Sequence, residues 1–205
     1  MRARWLLVLV PHVALAFDRE PVVGVVAHVA QASDGTDVVT RDWARAQLRT
    51  AEEFYAPLGL HFRLVEWRAL PSRQASVVTR ADRNAFSSAC APASINVMFV
   101  ASLRDVDVTE EAYRMGVTWI GNAREYIIVS SAARPSTLTH ELGHFFGLHH
   151  SKVTNNLMSY DRDGGTLFLD AAQQKTVIDT ARAMIATKNL SLESWAHAKC
   201  GPLQE

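Results

Sequence analysis

Between positions 139 and 151 the chain reads Thr-His-Glu-Leu-Gly-His-Phe-Phe-Gly-Leu-His-His-Ser, which puts four of its eight histidines within eleven residues. On an α-helix, His140 and His144 are four residues apart and about 40° from eclipsed, so both imidazoles reach one metal ion on one face. Glu141 stands one step round the helix, close enough to hold a metal-bound water without being a ligand. Two nitrogens leave the site incomplete, because zinc commonly takes three protein ligands and keeps a fourth position for water. If the helix continued, His150 would lie about 9 Å beyond His144 along the axis and point elsewhere. Gly147 prevents that: a glycine can adopt positive φ, end the helix and turn the chain so that His150 comes back toward the metal. Histidines that were merely surface or core residues would leave the glutamate, the glycine and the third histidine unexplained. His149 is read as a neighbour of the ligands or part of the cleft wall.

Composition narrows the setting. The 205 residues carry 21 Lys+Arg against 21 Asp+Glu, with a pI near 7.1, so there is no basic footprint for nucleic acid. No apolar run approaches the roughly 18 residues of a membrane-spanning helix. Residues 1–16 read as an export signal: Arg2 and Arg4, an apolar run from Trp5 to Val10, and Ala14-Leu15-Ala16 before a cleavage ahead of Phe17. The expected location is therefore secreted or periplasmic, and the remaining 189 residues carry a formal charge of −2. In an exported chain two cysteines are most simply a disulfide, here Cys90 to Cys200, worth about 4–5 kcal/mol in the chain-entropy picture. Asn189-Leu190-Ser191 is a sequon, meaningful only in a glycosylating host. Nothing in the sequence fixes the oligomeric state.

No repeat or linker divides the chain, so residues 17–205 are expected to form one domain, with an N-terminal subdomain over 17–150 and a C-terminal one over 151–205. Val22 to Gln31 reads as a buried strand, and Thr40 caps a helix to about Tyr55 that Pro57 and Gly59 stop. Leu60 to Leu70 alternates as a strand with one irregularity of register. A polar stretch from Ser72 to Ala93 precedes an apolar strand from Ile95 to Leu103, and Gly116 to Gly121 and Tyr126 to Val129 are two further strands. Pro135 and Ser136 open the histidine helix, expected from Thr137 to Leu148. A second helix from Asp170 to about Thr187 shows ordinary core spacing at Val177, Ala181, Met184 and Ile185. Trp119 reads as core packing rather than as a subsite wall.

Eight residues after His150 comes Asn156-Leu157-Met158-Ser159-Tyr160. At this point the sequence resembles the metzincin clan of zinc endopeptidases, in which the long histidine motif is followed by a methionine-containing turn beneath the metal. The spacing from His150 to Met158 and the serine after His150 are matrixin-like, whereas Met158-Ser159-Tyr160 is similar to the astacin and serralysin turn. The resemblance implies an α+β fold with a twisted mixed β-sheet, an active-site helix, a Met-turn and a long C-terminal helix. It also implies Zn2+ on His140, His144 and His150, Glu141 as general base, and Met158 as an apolar floor. Tyr160 is either a stabiliser of the oxyanion or a tyrosine packed locally in its turn. Peptide substrate would bind extended along an edge strand near Gly116 to Gly121. Clan members often carry a propeptide. None fits in the short segment before Val22, where Asp18 or Glu20 would be the carboxylate available to cover the site. Asp161-Arg162-Asp163-Gly164 reads as a turn rather than a calcium site. The function expected is hydrolysis of peptide bonds by an exported zinc endopeptidase, with a non-catalytic zinc-dependent binding module or a zinc amidohydrolase of non-protein amides as alternatives.

Overall fold

A strand of nine residues that are all buried, β1 (Val22–Ala30), organises the molecule. Its Val- and Ala-rich run lacks alternation because both faces of the strand are covered, as expected of parallel sheet interiors. The computed structural model describes residues 21–108 and 111–192. In chain order β1 is followed by α1 (Arg41–Tyr55), β2 (His61–Leu70), the short β3 (Ser76–Val77), α2 (Arg80–Ala85), β4 (Ile95–Val100) and the short β5 (Ser102–Leu103). Then come β6 (Gly116–Gly121), β7 (Arg124–Ser130), α3 (Thr137–Phe145) and α4 (Ala171–Ala186). Five strands form a mixed sheet in the order β2-β1-β4-β7-β6. All neighbours are parallel except β6, which runs antiparallel to β7 at one edge. The expected α+β class, twisted mixed sheet and long C-terminal helix are those observed.

Several boundaries follow directly from local chemistry. Thr40 accepts the backbone N–H of Trp43 at 3.2 Å and caps α1, and Gly59, at φ 73°, turns the chain out after it. The irregularity expected in β2 is a bulge: Val25 pairs with Leu64 but Val26 with Glu66, leaving Val65 over. Asp170 caps α4 through a reciprocal box with Gln173.

Two expectations need correction. The strand expected from Ile95 to Leu103 breaks at Ala101, where the N–H groups of Ala101 and Ser102 turn to the Ala75 carbonyl and lead the chain into a second, two-stranded sheet with β3. The polar stretch from Ser72 to Ala93, to which the sequence assigns no element, holds β3 and α2, the latter capped reciprocally by Thr79 and Asp82.

The sheet separates two apolar clusters. The larger joins alternate residues of β1, β4 and β7 (Val23, Val25, Ile95, Val97, Ile127) to Tyr55, Leu138, Leu142, Phe146, Met158 and Val177 from the helices and loops on that face. The smaller, on the opposite face, holds Met98, Tyr126, Ile128, Phe86 and Leu103, with Trp119 packed against it. Trp119 is thus a packing residue, its indole N–H donating to Asn84 at 2.8 Å and its ring lying under Arg83. Residues 1–16, Asp18, Glu20 and Cys200 lie outside the described residues. Cys90 is half-buried, with its thiol against the Phe86 carbonyl at 3.6 Å. Among the described residues no helix is long and apolar enough to cross a membrane.

Candidate metal centre

Helix α3 is held against α1 by buried polar contacts as well as by apolar packing. Gln47 of α1 donates to the Arg134 carbonyl at 3.0 Å and accepts the Leu138 N–H at 3.3 Å, and the Tyr55 hydroxyl donates to the Thr139 carbonyl at 3.0 Å. These contacts hold the first turn of α3 in place. The helix ends at Phe145, three residues before the expected Leu148, because a left-handed turn takes up the next residues. Gly147, at φ 87°, donates to the His144 carbonyl, and the N–H of Leu148 reaches back to Gly143 at 2.9 Å. This is the pair of bonds that closes a helix on a C-terminal glycine. The reversal brings His150 back over the helix, as the glycine in the motif implies.

His140, His144 and His150 accordingly converge, with one nitrogen from each lying within 4.8 Å of the others. His140 Nδ1 is 2.7 Å from the Leu157 carbonyl and His144 Nδ1 is 2.7 Å from the Leu148 carbonyl. A carbonyl only accepts, so both Nδ1 atoms carry the proton and both Nε2 atoms present a lone pair to the centre of the cluster. His140 Nε2 is buried and has no hydrogen-bond partner among the described residues. An orphaned buried lone pair beside two further imidazole nitrogens suits a divalent cation that favours nitrogen ligands, and three histidines with an open side suit zinc. Burial lowers the pKa of His140 to about 4, with its histidine neighbours and Arg162 adding to the effect. Burial likewise lowers that of His144 and of His150. In each case the shift favours the neutral imidazole that ligation requires.

Glu141 is only 6% exposed. Burial pushes its carboxyl up to about 7, against the opposing pull of a hydrogen bond from Thr118. The Thr118 hydroxyl lies 2.7 Å from the Glu141 carbonyl oxygen and 3.1 Å from its Oε2, tying the edge strand β6 to the helix. Gly116 allows the same approach: a Cβ there would lie 2.8 Å from Glu141 Cγ and 2.8 Å from Thr137 Cγ2.

Beneath the histidines Met158 is fully buried. It packs so closely on Gly143 that any side chain at that glycine would collide with the Met158 sulfur. Its turn is braced by Asn156, which accepts the Met158 N–H at 3.0 Å and donates to Gln173 of the α4 cap at 2.6 Å. Arg162 adds bonds to the Asn156 and Leu157 carbonyls, the latter the same oxygen that orients His140. Tyr160 is 74% exposed, yet its hydroxyl is 2.9 Å from His150 Nε2 and its ring is 4.7 Å from that imidazole. It stands at the cluster rather than packed in its turn. His149 lines the cleft wall beside His144 and His150. The 161–164 segment is irregular and bends at Gly164, at φ 93°, with Asp163 accepting the Gly165 N–H.

The motif residues are thus brought together. The Thr118 contact to Glu141, the bracing by Asn156 and Arg162, and Arg114, which lines the cavities on both sides of Glu141, are additions that the sequence does not announce, since each depends on the fold.

No protein-family model and no curated protein sequence matches this chain. Among solved structures, metalloproteinase-II from Bacteroides fragilis is similar with a TM-score of 0.55 and 14% identity, over 78% of this chain and 53% of that one. The chain thus spans about half the length of that protein. The archaemetzincin of Methanopyrus kandleri is similar with a TM-score of 0.54 and 16% identity, over 85% of this chain and 99% of that one. At these identities the likeness is one of architecture, and the chain has the α+β fold of these two proteins.

Proposed function

We propose that this protein is a zinc endopeptidase. The observation that carries the reading is the pair of Nδ1–carbonyl bonds that aim His140 and His144 at the point to which His150 is returned, with the buried carboxyl of Glu141 beside them. Bound zinc would be held by His140, His144 and His150 and would supply Lewis acidity toward a substrate carbonyl and toward water. Glu141 accepts the proton of the attacking water and returns it to the departing amine. A carboxyl whose pKa sits near 7 is suited to both transfers. Thr118 holds that carboxylate in place from the edge strand, and the Tyr160 hydroxyl, which lies beside His150, would donate to the developing oxyanion. Substrate lies extended along β6, whose other side is already paired to β7. Export through residues 1–16 to a secreted or periplasmic location, and a Cys90–Cys200 bridge, belong to the same reading. An N-terminus at Phe17 on the mature protein would support the export.

The decisive comparison is zinc-loaded wild type against Glu141→Ala on denatured protein and peptide libraries. The variant should keep its zinc and its fold and lose about 10²–10⁴-fold in activity. Full activity in the variant would refute Glu141 as the base. A well-folded, zinc-loaded wild type that cleaves no peptide would instead favour a binding module or an amidohydrolase of non-protein amides.

A further inference from the structure

Glu141 stands between two cavities of different chemistry. The one on the His144 side, about 310 Å³, is lined by Ile120, His149, Glu125 and Arg114. The one on the Ser159 side, about 570 Å³, is lined by Arg114, Arg134 and Arg162, with Asp105 as the carboxylate among its walls besides Glu141. The three guanidiniums are not equally engaged. Arg114 is ion-paired with Asp105 at 2.9 Å and with Asp107 at 3.3 Å. Arg162 spends its terminal N–H groups on the Asn156 and Leu157 carbonyls, which are neutral and leave its charge standing, while nearby Asp161 is bonded to Thr154. The Arg134 side chain is exposed and makes no hydrogen bond or ion pair among the described residues. The cavity therefore carries a local excess of positive charge in a chain whose formal net charge is +0. Arg162 is half-buried, where a charge counts for more than in bulk water, and Arg134 presents its own charge at the exposed rim.

We propose that this cavity selects a substrate carboxylate at a residue flanking the scissile bond, with Arg134 and Arg162 as the specificity-determining residues. The inference rests on the endopeptidase reading for its substrate class. The carboxylate comes either from an Asp or Glu side chain or from the free C-terminus of a short peptide, and both present the same planar anion to a guanidinium. The opposite cavity has Glu125 in its wall and, as its guanidinium, only the ion-paired Arg114, so it offers the anion no unpaired arginine and the acid is held on the Ser159 side of the bond.

Matched peptides that differ only by Glu against Gln at each flanking position, each made with a free and with an amidated C-terminus, test the proposal on zinc-loaded protein. The Glu peptide should be cleaved with about tenfold higher kcat/KM at one flanking position, and the ratio should shrink as salt is raised. Arg134→Glu should abolish or invert it. A preference that follows the free C-terminus rather than the Glu side chain identifies the other source of the carboxylate. Equal cleavage of Glu and Gln peptides, or an acidic preference that survives Arg134→Glu, overturns the arginine assignment and leaves the peptidase reading intact. A parallel measurement by fluorescence anisotropy uses the same peptides on zinc-loaded Glu141→Gln protein. There, tighter binding of the acidic peptide that is lost on adding Arg134→Glu supports the subsite even if the wild type cleaves nothing, in which case only the peptidase reading falls. Equal binding overturns the subsite.

Discussion

At the scale of single residues, Glu141 trades stability for reactivity. Its carboxyl titrates near 7 when folded and near its ordinary 4.5 when unfolded, so the folded protein holds this proton more tightly. The stabilisation from that proton is complete below about pH 4.5 and is lost as the pH rises through about 7. Metal-free Glu141→Gln, which has no charge to bury, should therefore match wild type at pH 4.5 and exceed it at pH 8 by on the order of 2–3 kcal/mol. Denaturant unfolding at the two pH values measures the difference, and a constant offset would refute the assignment. The three histidines act with the opposite sign, because their lowered pKa values make the metal-free protein lose stability as the pH falls below the ordinary imidazole range. Gly116→Ala should cost about 1–3 kcal/mol, read by thermal unfolding, since its methyl meets both Glu141 and Thr137. His140, His144 and Glu141 are legible in the sequence because helical geometry relates residues four apart, and His150 because Gly147 marks the turn that returns it. Thr118 and Arg114 are not, because nothing in their local sequence says that β6 and the chain before it lie along α3.

At the scale of elements, the clearest signals were those with strong local punctuation. The Thr40 cap, the Gly59 stop, the bulge in β2 and the helix opening at Asp170 all stand where the sequence indicates. The helix α2 was missed because its six residues bury little apolar surface and rest on a capping box and on tertiary contacts. The end of α3 was misplaced because apolar periodicity runs on through Phe145, Phe146 and Leu148, whereas the glycine turn needs three residues to complete its bonds. The methionine turn depends on Asn156, which is buried and joins it to the cap of α4. Asn156→Ala should destabilise by about 1–3 kcal/mol, leaving the Met158 N–H and Gln173 without their partner. The same substitution should weaken zinc retention in a competition with a chelator, since the Leu157 carbonyl that orients His140 lies in this turn. Between β6 and β7 the loop residues Asn122 and Ala123 are both left-handed, at φ 49° and 60°. Ala123→Gly should relieve that strain and stabilise by about 0.5–1 kcal/mol, visible as a raised denaturant midpoint.

At the scale of the whole molecule, a ligand that binds the folded state adds to its stability, by about 2.7 kcal/mol at a hundredfold excess over Kd. For a chain of this size that corresponds to a rise of roughly 5–10 °C in melting temperature. Zinc should raise the midpoint and a chelator should reverse it, whereas His144→Ala protein should respond to neither. The gain will fall short of the ideal because three histidines within eleven residues also offer zinc a partial site in the unfolded chain. Sheet topology sets a further property, the order in time of assembly. The β6–β7 hairpin closes through two residues, whereas β1 must wait for β4, with Val25 meeting Ile95 across most of a hundred residues of chain. Short loops close on the fastest timescales of folding, and long-range parallel pairing is slow. Pulsed hydrogen exchange during refolding should therefore protect the amides of β6 and β7 before those of β1. One of the two outermost strands of the finished sheet, β6, is then the earliest to acquire a neighbour, and it spends the remainder of folding as an unguarded edge.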